Sequence, residues 1–407
     1  MISALKVPNF RYLWGGQFIS QFGNVFLSVA ALWLLQLRSP AYLALAGVAM
    51  TLPAVLAAIG GALVDHFGPR RLMILTDLVR MTGVAGMALL VAVHPAGTPL
   101  FLLVALFLTS LGGSLFSPSE MALIPRAVSE DDLASANGMM QTTYNAASTV
   151  GYAVGGAFLV SVGAVAILGF DALTYAVSAA SLLFVTVGER HLATGPKAPP
   201  LSLRSMGETM QTLRGLGWFL PLLPLAVASN ILGNGAFVLL PYWVHHELGG
   251  TAALYGLIVA SATAGQILGS LLVGSLGRLP TWATISAAMA VQSVLYAGFA
   301  FWPGGVSDGI LLGAGAIANA VVNALLFTLL QKKIPKEMHG RAFGLLVTLL
   351  TIGNPLGPVL AGLTATSLPL WWPWVGTAVA GLALSIQIAR SPYLRETSPS
   401  DPAIIPA

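Results

Sequence analysis

The chain has 407 residues, of which 56% are hydrophobic and only 8% charged. A soluble domain carries about 25% charge, so this sequence lacks the polar surface to cover a water-facing globule. With no cysteine, disulfides and thiolate metal sites are excluded, and the net charge of +4 is placed along the chain in a way that does not form a nucleic-acid patch.

Apolar runs lie near 12–36, 42–64, 72–93, 99–121, 137–161, 164–187, 216–244, 252–275, 281–302, 308–330, 342–366 and 371–389. Most are close to the roughly 20 residues that span a bilayer. The expected fold is all-α and integral to the membrane, with twelve transmembrane helices. Phe22-Gly23-Asn24 returns as Leu232-Gly233-Asn234, and Ile124-Pro125-Arg126 as Ile334-Pro335-Lys336, both 210 residues on. A repeat at half-length predicts two pseudo-symmetric six-helix bundles, 1–187 and 216–390, as in transporters built from parallel repeats. If the N-terminus is cytoplasmic, sixteen of the eighteen lysines and arginines fall on the inner side. Only Arg38 falls outside, and Arg80 lies within helix 3. This positive-inside bias predicts both termini in the cytoplasm of a multi-pass protein of the cell membrane, with basic residues that touch anionic lipid.

The first run is too long and too polar for a signal peptide and is expected to be helix 1 of the mature chain. It carries Gln17, Gln21, Asn24 and Ser28 on one helical face. Helix 2 ends in Gly61, Asp65, Gly68, Arg70 and Arg71; Gly61 permits close helix approach, and Gly68-Pro69 makes a sharp turn. Helix 3 holds Asp77 and Arg80, which can pair at i,i+3, and Glu120 lies at a similar depth on helix 4. Helix 5 offers Gln141, Tyr144 and Asn145, then Gly151, Gly155 and Gly156, whose small side chains suit tight helix crossings. Asp171 sits about two turns into helix 6 with no nearby opposite charge in sequence. Ionisable groups at such depths are functional candidates by default. Asp171, Asp77, Arg80 and Glu120 are therefore the candidates for proton coupling. A structural ion pair at Asp77–Arg80, and an Asp171 held between helices, are the alternatives.

The connection 188–215 begins as a linker. It ends with Leu203, Met206, Met210 and Leu213 on one face, as expected of an amphipathic helix at the cytoplasmic interface. Helix 7 repeats the polar stripe with Asn230 and Asn234; helices 8 and 10 add Gln266, Asn319 and Asn323. Amides cannot face lipid cheaply and must meet one another or line a cavity. The helix 1 and helix 7 stripes are read as cavity lining, with Tyr144, Met139, Met140, Trp33 and Trp243 as apolar company. Such a cavity suits a bulky, partly apolar solute with scattered hydrogen-bonding groups. Helix 11 carries Gly353, Gly357, Pro358 and Gly362, where proline bends the helix. The tail 391–407 is expected to be disordered. No cofactor, metal site or enzyme motif is expected, and the protein is read as a monomer.

The helix 2–3 pattern of glycine, three residues, aspartate, two residues, glycine and basic residues resembles the loop motif of the major facilitator superfamily. Gly274-Ser275-Leu276-Gly277-Arg278 is its degenerate echo. The resemblance implies that Asp65 and Arg70 latch the cytoplasmic side against the start of helix 11, near Gly340–Arg341, while the protein is open outward. The alternative is a solvated loop that only sets topology. Gly353 to Gly362 resembles the antiporter motif of drug exporters, whereas helix 5 has Tyr152 in place of its proline. Asn9 to Trp14, Gly16 to Ser20, Phe116 to Pro118, Leu133 to Gly138 and Asp171 to Tyr175 resemble the macrolide-efflux and siderophore-exporter branch. That branch implies proton-linked export of amphiphilic compounds. Lysophospholipid transporters are similar too, so lipid stands as the alternative substrate, with a membrane enzyme or sensor as a distant third.

Overall fold

The computed structural model describes residues 3–53, 67–186, 210–211, 213–215, 217–276, 279–334, 345–346 and 348–395. Every regular element among them is helical. In chain order these are α1 (Pro8–Gln36), α2 (Pro40–Thr51), α3 (Pro69–Val93) and α4 (Thr98–Ala127). A long stretch, Glu130–Leu183, is broken at Gly163 (φ 77°, ψ 175°) and is treated as two helices, α5 (130–162) and α6 (164–183). Then come α7 (Phe219–His246), α8 (Ala252–Leu276), α9 (Thr281–Phe301), α10 (Gly305–Lys333), α11 (Leu356–Thr364) and α12 (Trp372–Arg390). Among the described residues nine stretches are long and apolar enough to cross a membrane, Asp131–Leu183 counting once, and Pro40–Thr51 is a shorter apolar helix.

The starts of these helices follow from local chemistry. Proline fixes φ and lacks an N–H that the first turn would leave unpaired anyway. Pro8, Pro40, Pro69, Pro99 and Pro373 all stand in first turns. The Ser39 hydroxyl caps α2 by accepting from the Ala41 N–H at 3.2 Å. The α5 helix starts at Glu130, earlier than the apolar run near 137 suggests. Its first turn carries Asp131 and Asp132, and carboxylates favour a helix N-terminus, a signal that hydropathy does not register.

The apolar run 342–366 is interrupted. Residues 352–355 form a turn in which the Asn354 N–H donates to Thr351 O and the Leu356 N–H to Gly353 O, each at 2.9 Å. Pro355 has no N–H to continue the ladder and disfavours helical geometry at the residue before it. Helix α11 then begins afresh at Leu356, so Pro358 lies in its first turn, where the lost N–H costs little. The interruption is therefore set by Gly353-Asn354-Pro355.

The chain forms two compact units. The first comprises Met1–Arg190, Val238–Ala260 and Pro358–Thr366; the second comprises His191–Phe237, Ser261–Gly357 and Ser367–Ala407. The first thus takes in the end of α7, the start of α8 and most of α11. Within it α1 packs on α5 and α6, α3 packs on α4, and the core gathers Phe10, Leu13, Met73 and Leu123. In the second, α9 packs on α10 and α12 around Trp218, Ile285, Leu325 and Leu384. Met210 and Leu213 of the linker pack against that second core.

One crossing in the first unit depends on glycine. A Cβ at Gly156 of α5 would overlap the Ala252 backbone at the start of α8, and a Cβ at Gly256 would overlap the Tyr152 carbonyl. Gly151 and Gly155 face Val25 and Phe26 of α1, and Gly362 faces Ala44 of α2. Gly357, in the second unit, lies on Ile231 and Gly235 of α7. Gly156→Val is expected to destabilise the protein by roughly 1–3 kcal/mol, the usual cost of overpacking. Gly15→Ala, where an added Cβ meets nothing within 4 Å, should not. Thermal unfolding of the two variants in matched detergent checks this.

Candidate functional site

The first unit buries a charged network. Asp77 and Arg80, one turn apart on α3, are 1% and 5% exposed and pair at 3.7 Å. Ser178 of α6 donates to the second Asp77 oxygen at 2.6 Å and accepts from the Gln17 amide of α1 at 2.9 Å. The Arg80 guanidinium lies between two rings, Phe116 of α4 and Tyr175 of α6, 5.3 Å from each centroid. Cation–π contacts are worth about 2 kcal/mol or more where water is excluded. Arg80 therefore ties α3, α4 and α6 together. The Tyr175 hydroxyl in turn donates to the Asn24 side-chain carbonyl of α1.

Two further carboxyls sit in the same unit. Glu120 of α4 is buried and accepts from the Tyr144 hydroxyl of α5. Asp171 of α6 is fully buried, and neither of its oxygens has a hydrogen-bond partner among the described residues. Its carboxylate lies against Gly23 of α1. The Thr174 hydroxyl bonds the Asp171 backbone carbonyl at 2.7 Å and leaves the acid itself unheld. Arg80 acts electrostatically on Asp77 and on Asp171, while Asp77 and Glu120 repel. Two carboxyls, Asp77 and Asp171, thus share the field of one guanidinium, and Glu120 is coupled to Asp77 instead.

The helix 1 stripe is largely spent on its neighbours: Gln17 reaches Ser178, Asn24 reaches Tyr175, and the Ser28 hydroxyl returns to the Asn24 carbonyl at 2.8 Å. Gln21 is half-buried. Gln141 donates to Asn145 at 3.3 Å on an exposed face of α5. Trp33 is buried, stacked 6.2 Å from Tyr255, and Met140 and Trp243 are buried as well. Gly61, Asp65, residues 188–209, Gly340–Arg341 and the tail beyond Arg395 lie outside the described residues. Of the expected latch, Gly68 makes the turn (φ 79°) that starts α3. Arg70 donates to the Leu182 and Leu183 carbonyls at 2.9 and 2.8 Å. It caps the C-terminal end of α6, where free carbonyls and the helix dipole favour a cation.

The second unit holds a cavity of about 160 Å³ among α7, α9, α10 and α12. Asn230, Asn319 and Asn323 line it, as does a set not singled out from the sequence: Ser229, Gln292 and Tyr296. Gln292 and Tyr296 share one face of α9 with Ile285 and Met289, a spacing that could have revealed them. Asn234 and Gln266 do not line it; the Asn234 amide donates to the Asn230 carbonyl at 2.9 Å, and Gln266 is exposed. The described lining contains amides, hydroxyls, aromatics and aliphatics, and no charged side chain. Such a surface accepts neutral polar groups and apolar bodies, and disfavours ions.

The family model of the Major Facilitator Superfamily matches residues 13–358. The chain is 24% identical to "Multidrug efflux pump Tap" of Mycolicibacterium fortuitum, over 92% of this chain and 93% of that one. It is 25% identical to "Macrolide efflux protein A" of Streptococcus pyogenes, over 92% and 94%, and 26% identical to "Enterobactin exporter EntS" of Salmonella paratyphi A, over 98% and 97%. Among solved structures it resembles a bacterial homologue of the lysosomal transporter Spinster, with TM-score 0.68, 15% identity and 94% and 95% of the two chains covered. A bacterial homologue of the iron transporter ferroportin gives TM-score 0.69 at 14% identity, over 94% and 98%. The family match indicates a transporter rather than an enzyme. The all-helical fold, its many apolar helices and the match over most of its length make this chain a multi-pass membrane transporter of the major facilitator superfamily.

Proposed function

We propose that the protein exports bulky amphiphilic molecules in exchange for protons, as a monomer in the cell membrane, by alternating access of two six-helix bundles with both termini cytoplasmic. The observation that carries this reading is how the chemistry is divided. Asp77, Glu120 and Asp171 are buried in the first unit, with Arg80 as the shared cation of Asp77 and Asp171, and the cavity of the second unit is rimmed by neutral amides. Protonation of one carboxyl lessens the excess of negative charge around Arg80, and its release restores it. Asp171, unheld and against α1, is assigned the travelling proton. Asp77, held by Arg80 and Ser178, is assigned a structural role. The efflux functions of the relatives support the direction of transport.

The test is proton movement in proteoliposomes with a pH gradient, with a macrolide and a lysophospholipid added in turn. Macrolide-evoked proton movement is expected. Lysophospholipid movement with no proton signal would replace antiport with lipid transport.

A further inference from the structure

The cavity of the second unit is polar at one end only. It runs along α7 from Phe219 to Asn230, along α9 from Ile285 to Tyr296, along α10 from Leu330 to Asn319, and along α12 from Ile388 to Thr377. On all four helices the first residue is apolar and the second polar. Each path covers eleven residue steps, which is about 16 Å at the helical rise of ~1.5 Å per residue. That is close to half of the ~30 Å hydrocarbon thickness of a bilayer, the depth of one leaflet. The apolar end lies towards Arg214 and Arg390 in the chain, and basic residues mark the cytoplasmic side.

We propose that this cavity seats the single acyl or alkyl chain of a neutral, hydroxyl-bearing amphiphile. Its head meets the amides near mid-membrane, and its chain runs towards the cytoplasmic face between Trp218, Ile285, Leu330 and Ile388. The head must be neutral because an ion there has no countercharge in the lining and its burial is costly. It should donate hydrogen bonds. One hydrogen of the Asn230 NH₂ is given to Ala226 O at 3.0 Å and both of the Asn323 NH₂ to Asn319 at 2.9–3.0 Å, and both residues keep side-chain oxygens as acceptors. This polarity reverses that of a lipid in the cytoplasmic leaflet, whose head lies at that face and whose chain ends at mid-membrane. An amphiphile seated here already has the orientation it needs on the far side.

The inference rests on the export reading for the sense of the two faces, whereas binding itself needs no proton coupling. The experiment uses the full chain in lipid nanodiscs and monododecanoylglycerol with a diazirine at the chain terminus. Saturable cross-linking at Trp218, Leu330, Leu346 or Ile388 is expected, displaced by unlabelled monododecanoylglycerol. Ala226→Phe, on the cavity wall, should weaken it at least about tenfold by overfilling the site. Should that variant fail to fold, the wild-type labelling map still decides. Cross-links at Asn230 or Tyr296 would overturn the orientation. Non-saturable labelling confined to exposed apolar residues such as Leu271 and Val294 would overturn the site. Saturable labelling without macrolide-evoked proton movement leaves the site and removes antiport, and the reverse result does the opposite.

Discussion

Asp171→Asn is expected to reduce macrolide-evoked proton movement to the level of empty liposomes while leaving the fold intact. The amide has the size of the carboxyl it replaces, so the contact with Gly23 is kept. The acid makes no hydrogen bond among the described residues that the change would break. What is lost is a group that can carry a proton at the interface between α6 and α1. Because a buried, unpaired carboxyl is itself costly, the melting temperature of the variant should not fall. Glu120→Gln is the instructive comparison. That side chain is held by the Tyr144 hydroxyl, so the substitution should disturb packing and leave part of the proton signal. Normal coupling in Asp171→Asn would make this residue structural and move the proton to Glu120.

Arg80→Ala should have the largest effect on stability. It removes the partner of Asp77, the only cation acting on Asp171 among the described groups, and the bridge between the rings of Phe116 and Tyr175. Breaking a buried pair by deleting one partner costs about 3–5 kcal/mol, because a charge is left uncompensated. The companion Asp77→Asn/Arg80→Met removes both charges and keeps most of the volume. It should recover much of the loss, as expected of coupled neighbours. Thermal unfolding of the two variants beside the parent checks both statements. Equal losses in the two would mean that Arg80 acts through ring packing alone.

Much of this arrangement is legible in the sequence. The pairing of Asp77 with Arg80 follows from one turn of helix, and the break between α5 and α6 falls at Gly163, in the gap between two apolar runs. What could not be read is which surface a polar stripe meets. Gln17 and Asn24 form one face of α1 whether that face meets water or Ser178 and Tyr175, because periodicity reports a direction and not a partner. The ring sandwich around Arg80 was hidden for the same reason: Phe116 and Tyr175 are remote in sequence and come together only in the packed bundle. Gln292 stands out only when it is placed on one face of helix 9 with Tyr296, because the hydropathy of that run is apolar on average. The interruption of helix 11 was half visible. Its proline and glycines announce a bend, but Pro355, rather than Pro358, stands where a missing N–H breaks the ladder.

The most direct measurement is macrolide accumulation in proteoliposomes of uniform orientation, with the face corresponding to the cell exterior made one pH unit more acidic than the other. A proton exchanged for each drug molecule sustains about tenfold accumulation per pH unit, since roughly 1.4 kcal/mol is a factor of ten. The prediction is uphill movement of the drug to the acidic side, abolished when nigericin collapses the gradient and absent with Asp171→Asn, whose vesicles also correct for passive trapping of a basic drug. Drug movement that only follows its own gradient, unaffected by the pH difference, would contradict proton-coupled export.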